Sequence, residues 1–175
     1  VGVSITAGNA ALRDTLDNAN RLLRLAGVSL EPAAGASWRD MHVAWPWVRR
    51  LHNVRGDVAS SPDAAEAIRS AVRARPPRSL TIVALGPLTN VAAALMDADV
   101  AGRVGRVVSM GGALDGKRLD LNWMSDRAAA RAVVASQVPL TLAPVELCAQ
   151  AAVQPEDVDR VVERCCPGAA VCALA

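Results

Sequence analysis

The chain has 175 residues, of which 52% are hydrophobic and 21% charged, with a formal net charge of +2. That length and apolar content support one domain with its own core and exclude a disordered chain. The mild charge, carried by arginines spread along the chain, leaves no electrostatic footprint for nucleic acid, and no apolar run approaches the ~18 residues of a membrane span. No basic-then-apolar stretch opens the sequence, and Cys148, Cys165, Cys166 and Cys172 lack zinc-type spacing. A cytoplasmic protein with free thiols is the expectation. Phe and Tyr are absent, so the core must be built from Ala, Val and Leu.

In chain order, Val1–Thr6 alternates apolar and small polar residues and reads as a strand, ended by Ala7-Gly8-Asn9. From Ala10 to Ala26 the apolar residues Leu12, Leu16, Ala19, Leu22 and Leu23 recur at helical spacing, with Asn9 or its successor as cap and Gly27 as the closing residue. Val28–Leu30 suggests a short strand. The pattern dissolves from Glu31 to Ser61, where Trp38, Trp45 and Trp47 cluster with His42 and His52. A loop of that length is functional or disordered, and its tryptophans suit either cover for a sheet edge or ligand contact. Ser61-Pro62-Asp63 starts a helix, with Pro in its first turn, that runs to about Arg75 and stops at Pro76-Pro77.

Ser79–Leu85 is an apolar strand without alternation, which points to burial on both faces as in a parallel sheet. It breaks at Gly86-Pro87, shows Thr89-Asn90, and enters a helix from Val91 to about Asp97. Arg106–Met110 is the next strand, ending at Gly111-Gly112. Arg118–Asn122 reads as loop, and Ser125-Asp126 caps a helix over Arg127–Ser136. Val138–Val145 is another strand, and Gln154–Asp157 opens a last helix through Val158, Val161 and Val162. Strand and helix alternate throughout. The fold class is therefore α/β: an open, mostly parallel sheet with helices on both faces, in a single domain over 1–175. Val1 reads as mid-strand and Ala175 lies in an apolar run, as expected of an internal portion of a longer protein.

In such sheets ligands bind beyond the carboxyl ends of the strands. Asn9, Thr89-Asn90, Met110-Gly111-Gly112 and Glu146 all follow strands, and Asp120-Leu121-Asn122 lies in a loop that can reach the same crevice. This set of carboxylates and amides suits a polyhydroxylated ligand or charge stabilisation around a cationic centre. Gly111-Gly112 alone is no phosphate loop, since neither G-x-G-x-x-G nor GK[ST] accompanies it. Asn9 suits a helix cap as well as a ligand contact, and Thr89-Asn90 a simple helix entry. Asp14 and Asp17 read as a wet helix face, and Cys148 as a small buried residue.

Ala84–Asn90, then Val108–Ala113, then Asp120–Asn122 leading into Asp126–Ala130 resemble the inosine–uridine-preferring nucleoside hydrolases. Ile5–Asn9, Val138–Val145 and Gln154–Asp157 extend the likeness over nearly the whole chain. The resemblance implies hydrolysis of the N-glycosidic bond of a small-molecule ribonucleoside, assisted by Ca2+, in base salvage, with a homo-oligomer as a possible assembly and neither nucleic acid nor membrane as partner. It also implies that Asn9 contacts the ribose, Met110 packs under the sugar, Asp120 and Asn122 bind substrate, and the Thr89 backbone carbonyl ligates the metal. Asp120 stands where the family carries Glu. His52 falls at a His-Gly segment whose glycine is Asn53 here. Lys117 lies near the place of a family asparagine, and Glu146-Leu147-Cys148-Ala149 replaces an Asp-Val-Thr-His pattern. The family's N-terminal acidic motif, which supplies metal ligands and the general base, is expected upstream of Val1, and its late His-Asp pair beyond Ala175. The expectation is a hydrolase segment inactive by itself. The alternative is a degenerate, non-catalytic member that binds a sugar, a nucleoside or a partner protein.

Overall fold

The computed structural model describes residues 1–37, 63–157 and 160. Elements follow in the order β1 (Ser4–Ile5), α1 (Leu12–Leu25), β2 (Ala33–Ala34), α2 (Ala64–Arg73), β3 (Thr81–Ala84), α3 (Thr89–Leu95), α4 (Ala98–Arg103), β4 (Arg106–Met110), α5 (Leu121–Ser125), α6 (Arg127–Ala135), β5 (Leu140–Ala143) and α7 (Val145–Gln150). All ladders are parallel: β1 pairs with β2, and β4 lies between β3 and β5. This is the open α/β arrangement the element order implies.

Register sorts the side chains. Ile82 lies opposite Val107, and Val107 opposite Leu140, so the three share one sheet face. Helices α2, α3, α4 and α6 cover that face with Val72, Val91, Leu95, Val100 and Val133, around the fully buried Leu88 and Val107. The core is Ala, Val and Leu, as the lack of Phe and Tyr requires. The other face of β3 is bare: Val83 is 61% exposed. The expectation of burial on both faces therefore holds for one face of β3 only. The helix on the other side, α1, is spent on the first sheet, where Leu12 and Leu16 pack with Ile5, Ala7 and Ala34.

The ends of β1 and β3 lie together. Gly8 faces the Pro87 ring, and Gly86 faces the Thr6 methyl. From this junction the ladders step one way to β2 and the other way to β4 and β5, so the strand order reverses here. Right-handed crossovers then place α1 and α3 on opposite faces. The junction is held by a side chain rather than a ladder. Asn90, only 7% exposed, donates from Nδ2 to the Ile5 carbonyl (3.1 Å) and accepts at Oδ1 from the Ala36 N–H (2.9 Å). Any Cβ on Gly35 would overlap this carboxamide.

Several boundaries differ from the sequence expectation, each for a local reason. Val28–Leu30 is no strand, because the Val28 N–H bonds Leu23 O and the Gly27 N–H bonds Arg24 O, a Schellman cap that leaves β2 to begin at Ala33. Helix α2 starts after Asp63, whose carboxylate accepts the Glu66 N–H; Asp63 caps the helix from outside it. The helix expected over Val91–Asp97 begins at Thr89 and stops at Leu95, because Asp97 caps a second helix, α4, through the Asp99 and Val100 N–H groups. Leu121 and Asn122, expected as the end of a loop, instead open α5, and the strand expected to reach Val145 ends at Ala143, with Val145 opening α7. Trp38, His42, Trp45, Trp47, His52, Pro62, Val158, Val161, Val162, Cys165, Cys166 and Cys172 lie outside the described residues. Among the described residues no helix is long and apolar enough to cross a membrane.

Replacing Asn90 with Ala leaves a buried carbonyl and a buried N–H unpaired and is expected to cost about 2–4 kcal/mol in urea unfolding. Gly35→Ala should act on the same link, so the double variant should lose less than the two single losses together. The Asp97 carboxyl is held below its usual range, chiefly by the Val100 N–H, with Arg73 adding its charge against the opposing effect of burial. Its contribution is present above the unfolded carboxyl's pKa and lost as pH falls through the lowered folded value. Amide protection in α4 is expected to survive mild acid and to collapse only below that range.

Candidate functional site

The crevice lies at the carboxyl ends of β1, β3 and β4, where the strand order reverses. Asn9 lies in the turn after β1, beside Gly8, which faces Pro87 at the end of β3. Asn9 is exposed, and the cap position of α1 is Ala11, with no side-chain capping bond. The capping alternative for Asn9 thus falls away. Thr89 is the first residue of α3, and its hydroxyl donates to Asp126 Oδ2 at 2.8 Å. Asp126 is buried and spends Oδ1 on the Ala129 N–H at 2.9 Å, capping α6. One carboxylate therefore fixes the starts of two helices against each other. Nothing in the local sequence pairs Thr89 with Asp126, which lie 37 residues apart.

Met110 and Asn122 are brought into direct contact. Asn122 Nδ2 donates to Leu85 O (3.2 Å) and Met110 O (3.1 Å), and lies 3.0 Å from Met110 Sδ. The amide group thus ties the end of β3 to the end of β4. Its Oδ1 is left as an acceptor for a hydroxyl.

Asp120 does different work. It is 5% exposed. Its carboxylate accepts the N–H groups of Gly112 (2.8 Å), Asn122 (3.1 Å) and Trp123 (2.8 Å). The last two make it the N-cap of α5, and the first locks the turn after β4 onto that helix. Trp123 completes this corner: its Nε1–H donates to the buried Ser109 hydroxyl at 3.0 Å, and its ring lies against Gly111 and Gly112. A Cβ on Gly111 would overlap the indole, and Gly112 has φ +81°, so both glycines are required. The sequence reading does not single out Trp123. Its signal is the Asp120-x-x-Trp123 spacing, which places it where a capping carboxylate bonds the third helical N–H.

Glu146 follows β5 in sequence but sits in the first turn of α7, turned to the loop after Gly112. Its Oε1 accepts from the N–H groups of Leu114 (3.0 Å) and Asp115 (3.2 Å). Asp115 is held below the ordinary carboxylate range, first by the Lys117 N–H, with the Arg118 N–H and guanidinium adding to it against the opposing effect of burial. Cys148 is half-buried with Sγ 3.9 Å from Ala143 O, in keeping with a small packing residue. Asn122 can hold a hydroxyl group beside an apolar ring face on Met110. Asp120 and Asp126 are committed to internal bonds. Among the described residues no group of three or more His, Cys, Asp or Glu side chains is placed to hold a metal ion. Ca2+ takes six to eight oxygens, so these residues do not fit a complete calcium shell.

The model of the inosine–uridine preferring nucleoside hydrolase family matches residues 1–172. The pyrimidine-specific ribonucleoside hydrolase RihA of Klebsiella pneumoniae is 30% identical over 172 residues, covering 90% of this chain and 55% of that protein. RihA of a Shewanella species is 29% identical, with 92% and 55% covered. The chain spans about half the length of the curated relatives it matches. Among solved structures, a plant nucleoside hydrolase superposes with a TM-score of 0.72 at 23% identity, over 93% of this chain and 56% of that one. A purine-preferring ribonucleoside hydrolase from Gardnerella vaginalis gives 0.64 at 25%, over 83% and 52%.

Asp120→Ala should cost about 2–4 kcal/mol by leaving the Gly112 and Trp123 N–H groups unpaired, and Asp120→Asn, which keeps one acceptor oxygen, about half of that. Hydrogen exchange at Gly112 and Trp123 should accelerate before the rest of the sheet in both variants.

Proposed function

The chain belongs to the inosine–uridine preferring nucleoside hydrolase family, and on that premise we propose that it forms one wall of a site that cleaves ribonucleosides into base and ribose with water. The observation that carries this reading is the Met110–Asn122 pair at the joined ends of β3 and β4. Met110 offers an apolar floor for the sugar ring. Asn122, fixed by two backbone carbonyls, presents Oδ1 to a ribose hydroxyl, and Asn9 reaches the same crevice from β1. Breaking the N-glycosidic bond builds positive charge on the sugar. Preset dipoles around the hydroxyls favour that charge without reorganising as it forms. Asp120 serves as a positioning residue, aiming Asn122 through its cap on α5. Enzymatic N-ribohydrolase activity is the function of this wall when the remainder of the site is present.

Ca2+ is the metal the reading implies, with the Thr89 backbone carbonyl as a ligand. The described residues do not complete its shell, so further ligands would have to come from outside them. The chain alone is therefore expected to bind Ca2+ weakly and to release no ribose. One observation favours the second reading, a non-catalytic sugar or nucleoside binder: the Asp120 carboxylate already accepts three backbone N–H groups. The base is open, since the relatives' names include both pyrimidine and purine preference. A cytoplasmic salvage role and a homo-oligomer belong to the same reading.

Reducing-sugar release from uridine and inosine by the full-length natural protein separates the two readings. Release is expected, with Asn122→Ala lowering kcat/KM about 10²-fold; binding of uridine without any release would favour the second. Calorimetry of the 175-residue chain with CaCl2 is expected to give weak or no heat, and tight stoichiometric binding would overturn the incomplete shell.

A further inference from the structure

Behind the Gly112 turn is a second concave feature, a cleft of about 300 Å³ lined by Gly112, Arg118, Asp120, Trp123, Arg127 and Arg131, among others. Three arginines from two segments line it. Arg118 comes from the loop after β4, while Arg127 and Arg131 stand one turn apart on α6. Of the two nearby carboxylates, Asp120 is occupied by three N–H groups, and Asp115 lies 4.0 Å from Arg118 at the limit of an ion pair. Arg127 and Arg131 have no ion pair or hydrogen bond to a described residue. Like charges four residues apart on one helix face repel each other; on α2 the corresponding pair is relieved, Arg69 by Glu66 and Arg73 by Asp97 and Asp99. Exposed and unrelieved beside a cleft, this cationic pair is open to an anion.

We propose that this cleft binds a phosphate-bearing small molecule, a phosphomonoester with a ring attached. The guanidinium fork matches phosphate oxygens bidentately. The volume falls in the range of small-ligand pockets rather than that of a bare oxyanion, and Trp123 with Met124 and Ala130 supplies an apolar wall for the ring. The assignment stands independently of the hydrolase reading. It shares Gly112, Asp120 and Trp123 with the candidate site, so an occupant braces the back of that corner.

Calorimetry of the 175-residue chain at constant ionic strength, set with chloride, tests it with inorganic phosphate, ribose 5-phosphate and uridine. Saturable one-site binding of ribose 5-phosphate, tighter than that of phosphate, is expected. Arg127→Gln/Arg131→Gln should weaken it at least about tenfold, the loss of charge-assisted hydrogen bonds from both residues. Arg21→Gln/Arg24→Gln on the exposed side of α1 removes the same charge and should change nothing. Circular dichroism checks that both variants fold, as substitution of exposed arginines should allow. Absence of saturable binding, equal loss in both double variants, or competition by uridine would each overturn the proposal. Equal affinity for phosphate and ribose 5-phosphate would overturn the part given to the Trp123 wall.

Discussion

The arrangement of this chain depends on one buried carboxamide. Parallel strands normally meet through a ladder, but at the junction of β1 and β3 the Asn90 side chain takes that place. Its Nδ2 has a carbonyl to serve and its Oδ1 an N–H, and the two partners belong to different strand segments, Ile5 and Ala36. A carboxylate would set an acceptor against the Ile5 carbonyl, and an aliphatic side chain would leave both backbone groups buried and unpaired. Asn90 is also the second residue of α3, so the bond that joins the sheets also fixes where that helix starts. The end of β1 and the start of α3 are therefore held together by one side chain.

Aspartates make the remaining joints. Asp63, Asp97, Asp120 and Asp126 each cap a helix with backbone N–H acceptance. Helices as short as α5, with five residues, have no stability of their own. They persist because a cap worth roughly 1 kcal/mol is combined with tertiary burial. Two of the caps also reach beyond their helices, Asp120 to Gly112 and Asp126 to Thr89. Of the carboxylates and amides that the sequence groups together, the amide of Asn122 stays available while Asp120 and Asp126 are turned inward onto N–H dipoles.

What can be read from the sequence follows the range of the interaction. Arg106–Met110 is legible to the residue because Gly105 and Gly111 bound an apolar run, and α1 and α6 are legible from their periodicity. Helices α4, α5 and α7 are not, since six residues or fewer show no period, and a capping aspartate looks like a loop aspartate. The position of Asn90 in the Gly-Pro-Leu-Thr-Asn motif is visible, but its partners lie 54 and 85 residues away. The family likeness names Asn9, Thr89, Met110, Asp120 and Asn122 as one set. The geometry gives them separate roles. Met110 and Asn122 meet, Asp120 holds the corner behind them, and Thr89 is tied to Asp126, to which the likeness assigns no role.

The Gly111–Gly112 turn also separates two chemically different surfaces. In front of it lie Asn122 Oδ1 and the Met110 thioether, neutral groups suited to hydroxyls and a ring face. Behind it lie Arg118, Arg127 and Arg131. Glycine makes this separation thin: with no Cβ at Gly111 the Trp123 indole packs directly under the backbone, and the Gly112 N–H is free to bond Asp120. Asp120 stands between the two sides with three N–H groups on its carboxylate, which stabilise its charge without cancelling it. Movement of Trp123 would shift Ser109 on the core strand and the first turn of α5 together, and through α5 the amide of Asn122. The rigidity of the neutral face therefore rests on packing supplied from the cationic one.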